Sequence, residues 1–527
     1  MGLTSAELID LVLDPGTWTS WDTPPVHGRS GARGNQAGEL PEAYAADLVR
    51  ARERAGTDES VVTGEARIAG RRVAVVLSEF RFLAGSIGRA SAERLIAAVE
   101  RATREGLPLL AGPASGGTRM QEGTPAFVQM VRIAEAVTRH KAAGLPYLVY
   151  LRHPTTGGVM ASWGSLGHVT VAEPAALLGF LGPKVYEVLN GRPFPSGVQV
   201  SENLFAHGLV DGVVPPDELA GLVDRVLTIL DLRPEKSPTS AETSLASAET
   251  SLASAERSAG DASADGSDAS AGGADFSAVD TWDAITRSRR TDRPGARALL
   301  RIAASDVVPL NGTGQGERDP GLIIALARFG SAPCLVLAQD RREQAHQPLG
   351  PEGLREAQRG MKLAAGLGLP VVTVIDTPGA ALSAEAENGG IAGEIARTLG
   401  TLVNLETPTL SLMLGEGNGG GALAFLPADR VVAAQHAWLS PLPPEGASAI
   451  VHGDSDHAAE MAEAQRVLAV DLQEIGVVDR IVAESPDAAD EPETFCRRVG
   501  AVLEDELLAL LASGPGDPTA RAARYAG

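Results

Sequence analysis

A chain of 527 residues exceeds what a single hydrophobic core supports, so two domains and a linker are expected. It is globular in composition, 44% hydrophobic and 21% charged, and 45 basic against 67 acidic residues leave −22, which argues against nucleic acid as a partner. Its two cysteines, Cys334 and Cys496, form no CxxC pair, so neither a disulfide framework nor a bound metal is expected.

The first ten residues lack the basic-then-apolar order of a signal peptide, and no run of about 18 apolar residues follows, which predicts a cytoplasmic chain without a membrane span. Residues 1–60 read as short helices and loops anchored by Trp18 and Trp21. The alternation from Ala66 to Ser78, broken at Gly70, predicts a hairpin. Leu95, Ile96 and Val99 then recur at helical spacing over residues 90–104, with Ser91 as the expected N-cap. Strand-like Leu107 to Leu110 opens into residues 114–120 (Ala-Ser-Gly-Gly-Thr-Arg-Met), and a helix through Val128, Val131 and Ile133 follows. A strand over residues 147–152 next leads to Gly157-Gly158, and a helix is expected near Leu219 to Leu230.

Residues 235–275 break the pattern. Residues 240–246 (Ser-Ala-Glu-Thr-Ser-Leu-Ala) repeat at once, and Ser, Ala, Gly and Asp fill the rest. Nothing there is large enough to pack, so a disordered linker is expected between a domain of residues 1–234 and one of residues 276–527. A transient alanine-rich helix over residues 240–258 is the other reading of this stretch.

The second half restarts at Trp282. Residues 334–338 read as a strand, 353–366 as a helix, and 371–375 as a buried strand ending in Asp376-Thr377-Pro378-Gly379-Ala380. A helix over residues 391–399, a strand before Gly415 and a strand over residues 430–434 complete the order. Strands alternating with helices in both halves predict α/β crossovers. The loop after Leu110 corresponds to the loop after Ile375, and Gly157-Gly158 to Gly420-Gly421, as in a diverged duplication.

Each glycine pair follows a strand and opens a helix, which leaves bare N–H groups at the positive helix end, where an anion is held without a charged side chain. A glycine pair also arises where strand and helix approach too closely for a Cβ. Two pairs at matching places favour anion sites. Gly415-x-Gly417-x-x-Gly420 satisfies the dinucleotide fingerprint, but no acidic residue ends a strand about 20 positions on and the first copy lacks the motif. His153 and His168 flank the first pair as candidate bases, though ordinary loop and surface roles suit them better. Glu122, Glu173, Asp376 and Glu445 read as caps or ion-pair members, and Met120, Met130 and Met160 as core. Met361-Lys362 lies mid-helix, without the hairpin context of a biotin-attachment site.

Residues 114–122, 154–159 and 172–183 resemble the β subunit of the bacterial acetyl-CoA carboxylase carboxyltransferase, and residues 375–380, 415–424 and 440–448 resemble its α subunit. The resemblance implies two crotonase-type (ClpP/crotonase-like) ββα-superhelix domains, fused β then α. It implies that Ser115, Gly116, Gly117, Gly157 and Gly158 line a CoA-thioester site, with Arg119 beside it. Arg89, Arg119 and Lys184 are candidate ligands for the coenzyme's phosphates. Thr377, Pro378, Gly379, Ala380, Gly420 and Gly421 would line the site for carboxybiotin. The implied reaction moves a carboxyl group from carboxybiotin, on a separate biotin carboxyl carrier protein charged by a biotin carboxylase, to acetyl-CoA or another short acyl-CoA. Malonyl-CoA is the product for acetyl-CoA, and a homodimer pairs one unit's β-type half with the other's α-type half. Three departures stand out: no four-cysteine zinc ribbon can form, Asn388-Gly389-Gly390-Ile391 occupies the region of a usual arginine, and Asp340 replaces a usual lysine. The missing arginine motivates another reading, a biotin-independent malonyl-thioester decarboxylase, and the absent ribbon together with the missing arginine motivates a third, a non-catalytic assembly partner.

Overall fold

The computed structural model describes residues 2–26, 29–30, 37–38, 40–180, 187, 190–230 and 280–525. The expected linker and Lys184 lie outside these residues. Each half is built on one mixed sheet. In the seven-stranded first sheet, the hairpin Val61–Ile68 and Arg71–Ser78 is followed by parallel Leu109–Gly112, Tyr147–Leu151, Val169–Ala172 and Gly212–Val213, with Thr19–Ser20 on the hairpin edge. In the eight-stranded second sheet, Ala304–Leu310, Leu322–Phe329 and Ala332–Gln339 are antiparallel neighbours. Parallel Val371–Thr377, Thr409–Asn418, Arg430–Ala434 and Arg480–Val482 complete it, with Trp438–Ser440 beside the end of Thr409–Asn418.

The registers match between halves. Ala74 stands opposite Leu109 as Leu335 stands opposite Val371, and Leu109 opposite Tyr147 as Val371 opposite Thr409. The first hairpin closes through Ala69 and Gly70, both at positive φ, the turn whose twist suits paired strands. The parallel strands are apolar on both faces because helices cover them: Arg89–Arg104 and Gln129–Ala142 in the first half, Pro351–Leu367 and Pro492–Ser513 in the second. Arg89–Arg104 takes its N-cap three residues before the expected Ser91. Gly88 is the N-cap, and Ser91 reaches back from inside the helix to accept the Gly88 N–H at 2.9 Å.

The two halves share one apolar core. Val75, Leu110 and Val169 of the first sheet, Val223 and Leu227 of Leu219–Ile229, and Val308, Leu326 and Leu337 of the second sheet belong to one buried cluster. A polar seam runs beside it. Asn311 donates from its side chain to the Phe205 and Val210 carbonyls at 2.8 and 3.1 Å, and from its backbone to Asp211 at 3.1 Å. Arg359 donates to the same Asp211 carboxylate at 2.8 Å. Gly208 and Gly312 meet so closely that a Cβ on Gly312 would lie 2.3 Å from the Gly208 Cα. The halves are welded, so the loops at the ends of the two sheets keep a fixed relation within the chain.

Candidate active site

The first-half site forms where two parallel strands end side by side. Beyond Leu109–Gly112, Ser115 donates its N–H to the Pro154 carbonyl at 2.7 Å and Gly116 to that of Ala84 at 2.9 Å. Gly117 turns to φ +107° and donates to the Ser115 hydroxyl at 2.9 Å. Beyond Tyr147–Leu151, Thr156 donates to the Ser115 carbonyl at 2.8 Å, and the helix Gly157–Met160 begins at Gly157, φ +63°. A Cβ on Gly117 would stand 3.4 Å from both the Gly157 Cα and the Gly158 nitrogen, an ordinary contact, so it is the positive φ of Gly117 and Gly157 that calls for glycine at both places. The N–H groups of Thr118 and Gly158 find no hydrogen-bond partner among the described residues.

The second half repeats the device. Thr377 accepts the Gly379 N–H at 3.1 Å, and Gly379 sits at φ +123°. Thr409–Asn418 ends in Gly419 at φ +60°, which opens the helix Gly419–Leu423. The N–H groups of Ala380 and Gly420, at the places of Thr118 and Gly158, are likewise without a partner among the described residues. Pro378, at the place of Gly116, has no N–H to give. The backbone thus aligns Gly157-Gly158 with Gly419-Gly420, one residue before the expected Gly420-Gly421. Gly421 takes the seat of buried Val159, where a Cβ would stand 2.9 Å from the Ala380 nitrogen. It is needed for packing against the loop that carries Ala380.

Thr118 carries no mark of its role in residue type, because an N–H donor needs no particular side chain. Its signal was positional: Thr118 stands three residues after Ser115, as Ala380 does after Thr377. Ile87 bridges Thr118 as Leu349 bridges Ala380.

The charged candidates take other places. Arg119, expected beside substrate, is completely buried; its guanidinium forks Glu59 at 2.6 and 2.7 Å and reaches the Ser86 carbonyl at 2.8 Å. It braces the loop from within and presents no charge to a phosphate. Burial and the Lys141 charge push His168 down to about 3, and its Nδ1 accepts the Tyr147 N–H at 3.1 Å. His153 accepts the Leu177 N–H at 3.0 Å through Nδ1. Each ring is engaged in a hydrogen bond that holds a neighbouring strand or loop. Asp376 is raised by complete burial and opposed by Arg341 at 3.6 Å. Glu416, likewise raised by burial, faces Arg289 at 3.2 Å and accepts from Asn418 at 2.8 Å. Asp340 accepts the Arg342 N–H at 3.2 Å and pairs with Arg297. Arg89 lines an open cleft of about 570 Å³ with Tyr44, Met120, Glu122 and Val128, outside the Thr118 loop. Met130 is buried as expected, whereas Met120 is 80% exposed. Among the described residues, no group of three or more His, Cys, Asp or Glu side chains stands together as a metal site, and no helix is long and apolar enough to cross a membrane.

Two α/β halves of matching topology, with glycine-rich loops at matching strand ends, define the crotonase-type fold of carboxyltransferases. Comparison with known proteins agrees. A carboxyl transferase domain family matches residues 38–258, and the acetyl co-enzyme A carboxylase carboxyltransferase-like family matches residues 267–525. The probable biotin-dependent acyl-coenzyme A carboxylase beta3 subunit of Mycobacterium tuberculosis is 55% identical over 509 residues, covering 96% of this chain and 94% of that one. The acetyl-coenzyme A carboxylase carboxyl transferase subunits beta/alpha of Salinispora arenicola is 35% identical over 96% of this chain and 87% of its own. The transcarboxylase 12S crystal structure, with hydrolyzed methylmalonyl-coenzyme A bound, shares the fold at TM-score 0.69 and 19% identity over 94% of this chain and 89% of that one. The chain belongs to the carboxyltransferase family of biotin-dependent acyl-CoA carboxylases, with its β-type half first and its α-type half second.

Proposed function

We propose that this chain is the carboxyltransferase component of a biotin-dependent acyl-CoA carboxylase. The acceptor is acetyl-CoA or another short acyl-CoA, so that malonyl-CoA or its homologue is the product. The observation that carries the reading is the matched pair of leftover amides, Thr118 with Gly158 and Ala380 with Gly420. The first pair takes the thioester oxygen, which becomes negative as the α-carbon loses its proton. The second pair faces the ureido oxygen of biotin. A neutral cradle of amides, closed in where a Cβ on Gly421 would stand 2.9 Å from the Ala380 nitrogen, fits that small carbonyl group. Biotin supplies an activated carboxyl group and a basic ureido nitrogen. The chain's own part is to hold both developing negative oxygens in preformed donors, each worth about 3 kcal/mol. That division explains why His153 and His168 are spent on structural hydrogen bonds.

Biotin arrives on a separate carrier protein charged by a biotin carboxylase. The working unit is a homodimer in which the first half of one chain meets the second half of another. Both nests open beside exposed apolar side chains: Met120, Phe127, Val131 and Phe180 in the first half, Leu382, Ile450 and Val451 in the second. Buried, unpaired Cys334 and Cys496 are consistent with a cytoplasmic location.

The test is the reverse reaction, carboxylation of biocytin by malonyl-CoA or methylmalonyl-CoA. Transfer to biocytin supports the reading. No transfer from malonyl-, methylmalonyl- or ethylmalonyl-CoA refutes it, and carbon dioxide released at the same rate without biocytin indicates a decarboxylase instead.

A further inference from the structure

The two nests are held by different side-chain hardware. Ser115 and Thr377 occupy equivalent places, both fully buried, and each accepts the N–H of the positive-φ glycine two residues on. A hydroxyl rotates, so it serves as an acceptor there only if its hydrogen is occupied elsewhere. In the first half the Ser115 hydrogen has, among the described residues, only the Gly117 carbonyl, at 3.4 Å. In the second half Thr377 donates to the Gln344 Oε1 at 2.5 Å, with the Gly379 carbonyl more distant at 3.3 Å. Gln344 is itself 1% exposed, and its Nε2 is engaged by the Gly321 carbonyl at 2.9 Å. With the amide nitrogen fixed on a carbonyl, Oε1 can only accept. The Thr377 hydrogen is therefore directed to Gln344, and a lone pair of the same oxygen faces the Gly379 N–H.

We propose that Gln344 is a positioning residue for the biotin-side nest. Through Thr377 it fixes the Gly379 turn and so aims the Ala380 N–H. It touches neither substrate. This inference rests on the function proposed above and adds to it a residue on the helix Arg341–Gln344, remote in sequence from both glycine motifs.

Two variants test it in the full-length chain. Gln344→Leu removes donor and acceptor; carboxyl transfer to biocytin should fall about tenfold in kcat, because one donor of two loses its aim. KM for either substrate should stay within about twofold, and calorimetric affinity for the CoA thioester should be unchanged. Gln344→Glu supplies the same donor and acceptor set only when its carboxyl is neutral. Its activity relative to wild type should rise as pH falls, whereas that of Gln344→Leu stays low at every pH. A kcat for Gln344→Leu within twofold of wild type overturns the inference. So does a Gln344→Glu ratio flat with pH, or a loss of thioester affinity matching the loss of rate. An inert wild-type chain removes the proposed function itself and the inference with it, a different outcome from an active wild type with indifferent variants.

Discussion

The two halves place leftover amides at the same points of the same topology but secure them in opposite ways. In the first, the loop carrying Thr118 is braced from behind by a charge. Arg119 follows Thr118 directly and bonds Glu59, Ser60 and Ser86, all of them buried. In the second, the matching position is Ala381, and the bracing passes to the neutral chain Thr377, Gln344, Gly321. Arg119 and Ala381 are equivalent because each donates its N–H to the bridging residue, Ile87 or Leu349, at 2.9 Å. The backbone nest is the shared invention, and its support is free to vary because only amide positions matter to the chemistry.

The largest expected effect breaks the nests themselves. Gly421→Ala would set a Cβ 2.9 Å from the Ala380 nitrogen and 3.2 Å from the Gly379 carbonyl carbon, both backbone atoms that cannot turn aside. We expect loss of about 100-fold or more in kcat, the cost of one oxyanion donor, with circular dichroism unchanged. Gly158→Ala meets softer neighbours, the Thr118 hydroxyl at 3.2 Å and Met130 at 3.5 Å, and should lose about tenfold. Equal losses in the two variants would show that the halves do not differ in this respect.

The next effect falls on stability in one half alone. Glu59→Ala leaves the Arg119 guanidinium buried without its carboxylate and should cost about 3–5 kcal/mol in chemical denaturation. Glu59→Met with Arg119→Met removes both charges and should recover most of that loss. If the double variant is as unstable as Glu59→Ala, packing and not charge holds the first loop.

Much of this was legible in the chain itself. The duplication, the hairpin at Gly70 and both glycine openings follow from residue types whose backbone needs are narrow. The one-residue shift in the second nest was not, because Gly419, Gly420 and Gly421 offer two alignments and only φ decides between them. Arg119 misled for a different reason: a basic residue beside a site reads as a phosphate ligand until its burial is known. The strand Leu322–Phe329, the partner of Val61–Ile68 in the duplication, adds to the expected elements, and its apolar run is plain in the chain. Val131, spaced as a core residue, is 73% exposed, a pattern that a partner surface explains better than a core.

That surface gives the third prediction. Leu382 occupies the place of Met120 and is 97% exposed, so an acid there disturbs little within one chain. If the first half of one copy covers the second half of another, Leu382→Asp should weaken self-association about tenfold or more by analytical ultracentrifugation. Met120→Asp should do the same. The melting midpoint of the dissociated chain should stay unchanged. Retention of the wild-type association constant in both variants would separate the apolar rims from any dimer.

The smallest effect concerns the seam between the halves. Burial raises Glu356 from 4.5 to about 7 and Asp319 from 3.8 to about 6, although each carboxylate accepts backbone N–H groups. A carboxyl raised in the folded state is more readily protonated there than in the unfolded chain. Its contribution to stability is complete below about pH 4 and is lost as pH rises through about 7. Glu356→Gln keeps an oxygen for the Gly312 N–H and carries no charge at any pH. Its melting midpoint should therefore gain on wild type between pH 5 and pH 8, by a few degrees at most, since the Arg359 charge already offsets part of the cost. The Asp211–Arg359 pair crosses the seam at 2.8 Å, and Asp211 shows no part in this gain if the midpoint of Asp211→Asn keeps the pH dependence of wild type. A Glu356→Gln curve parallel to wild type across that range would place the pH response of the seam elsewhere.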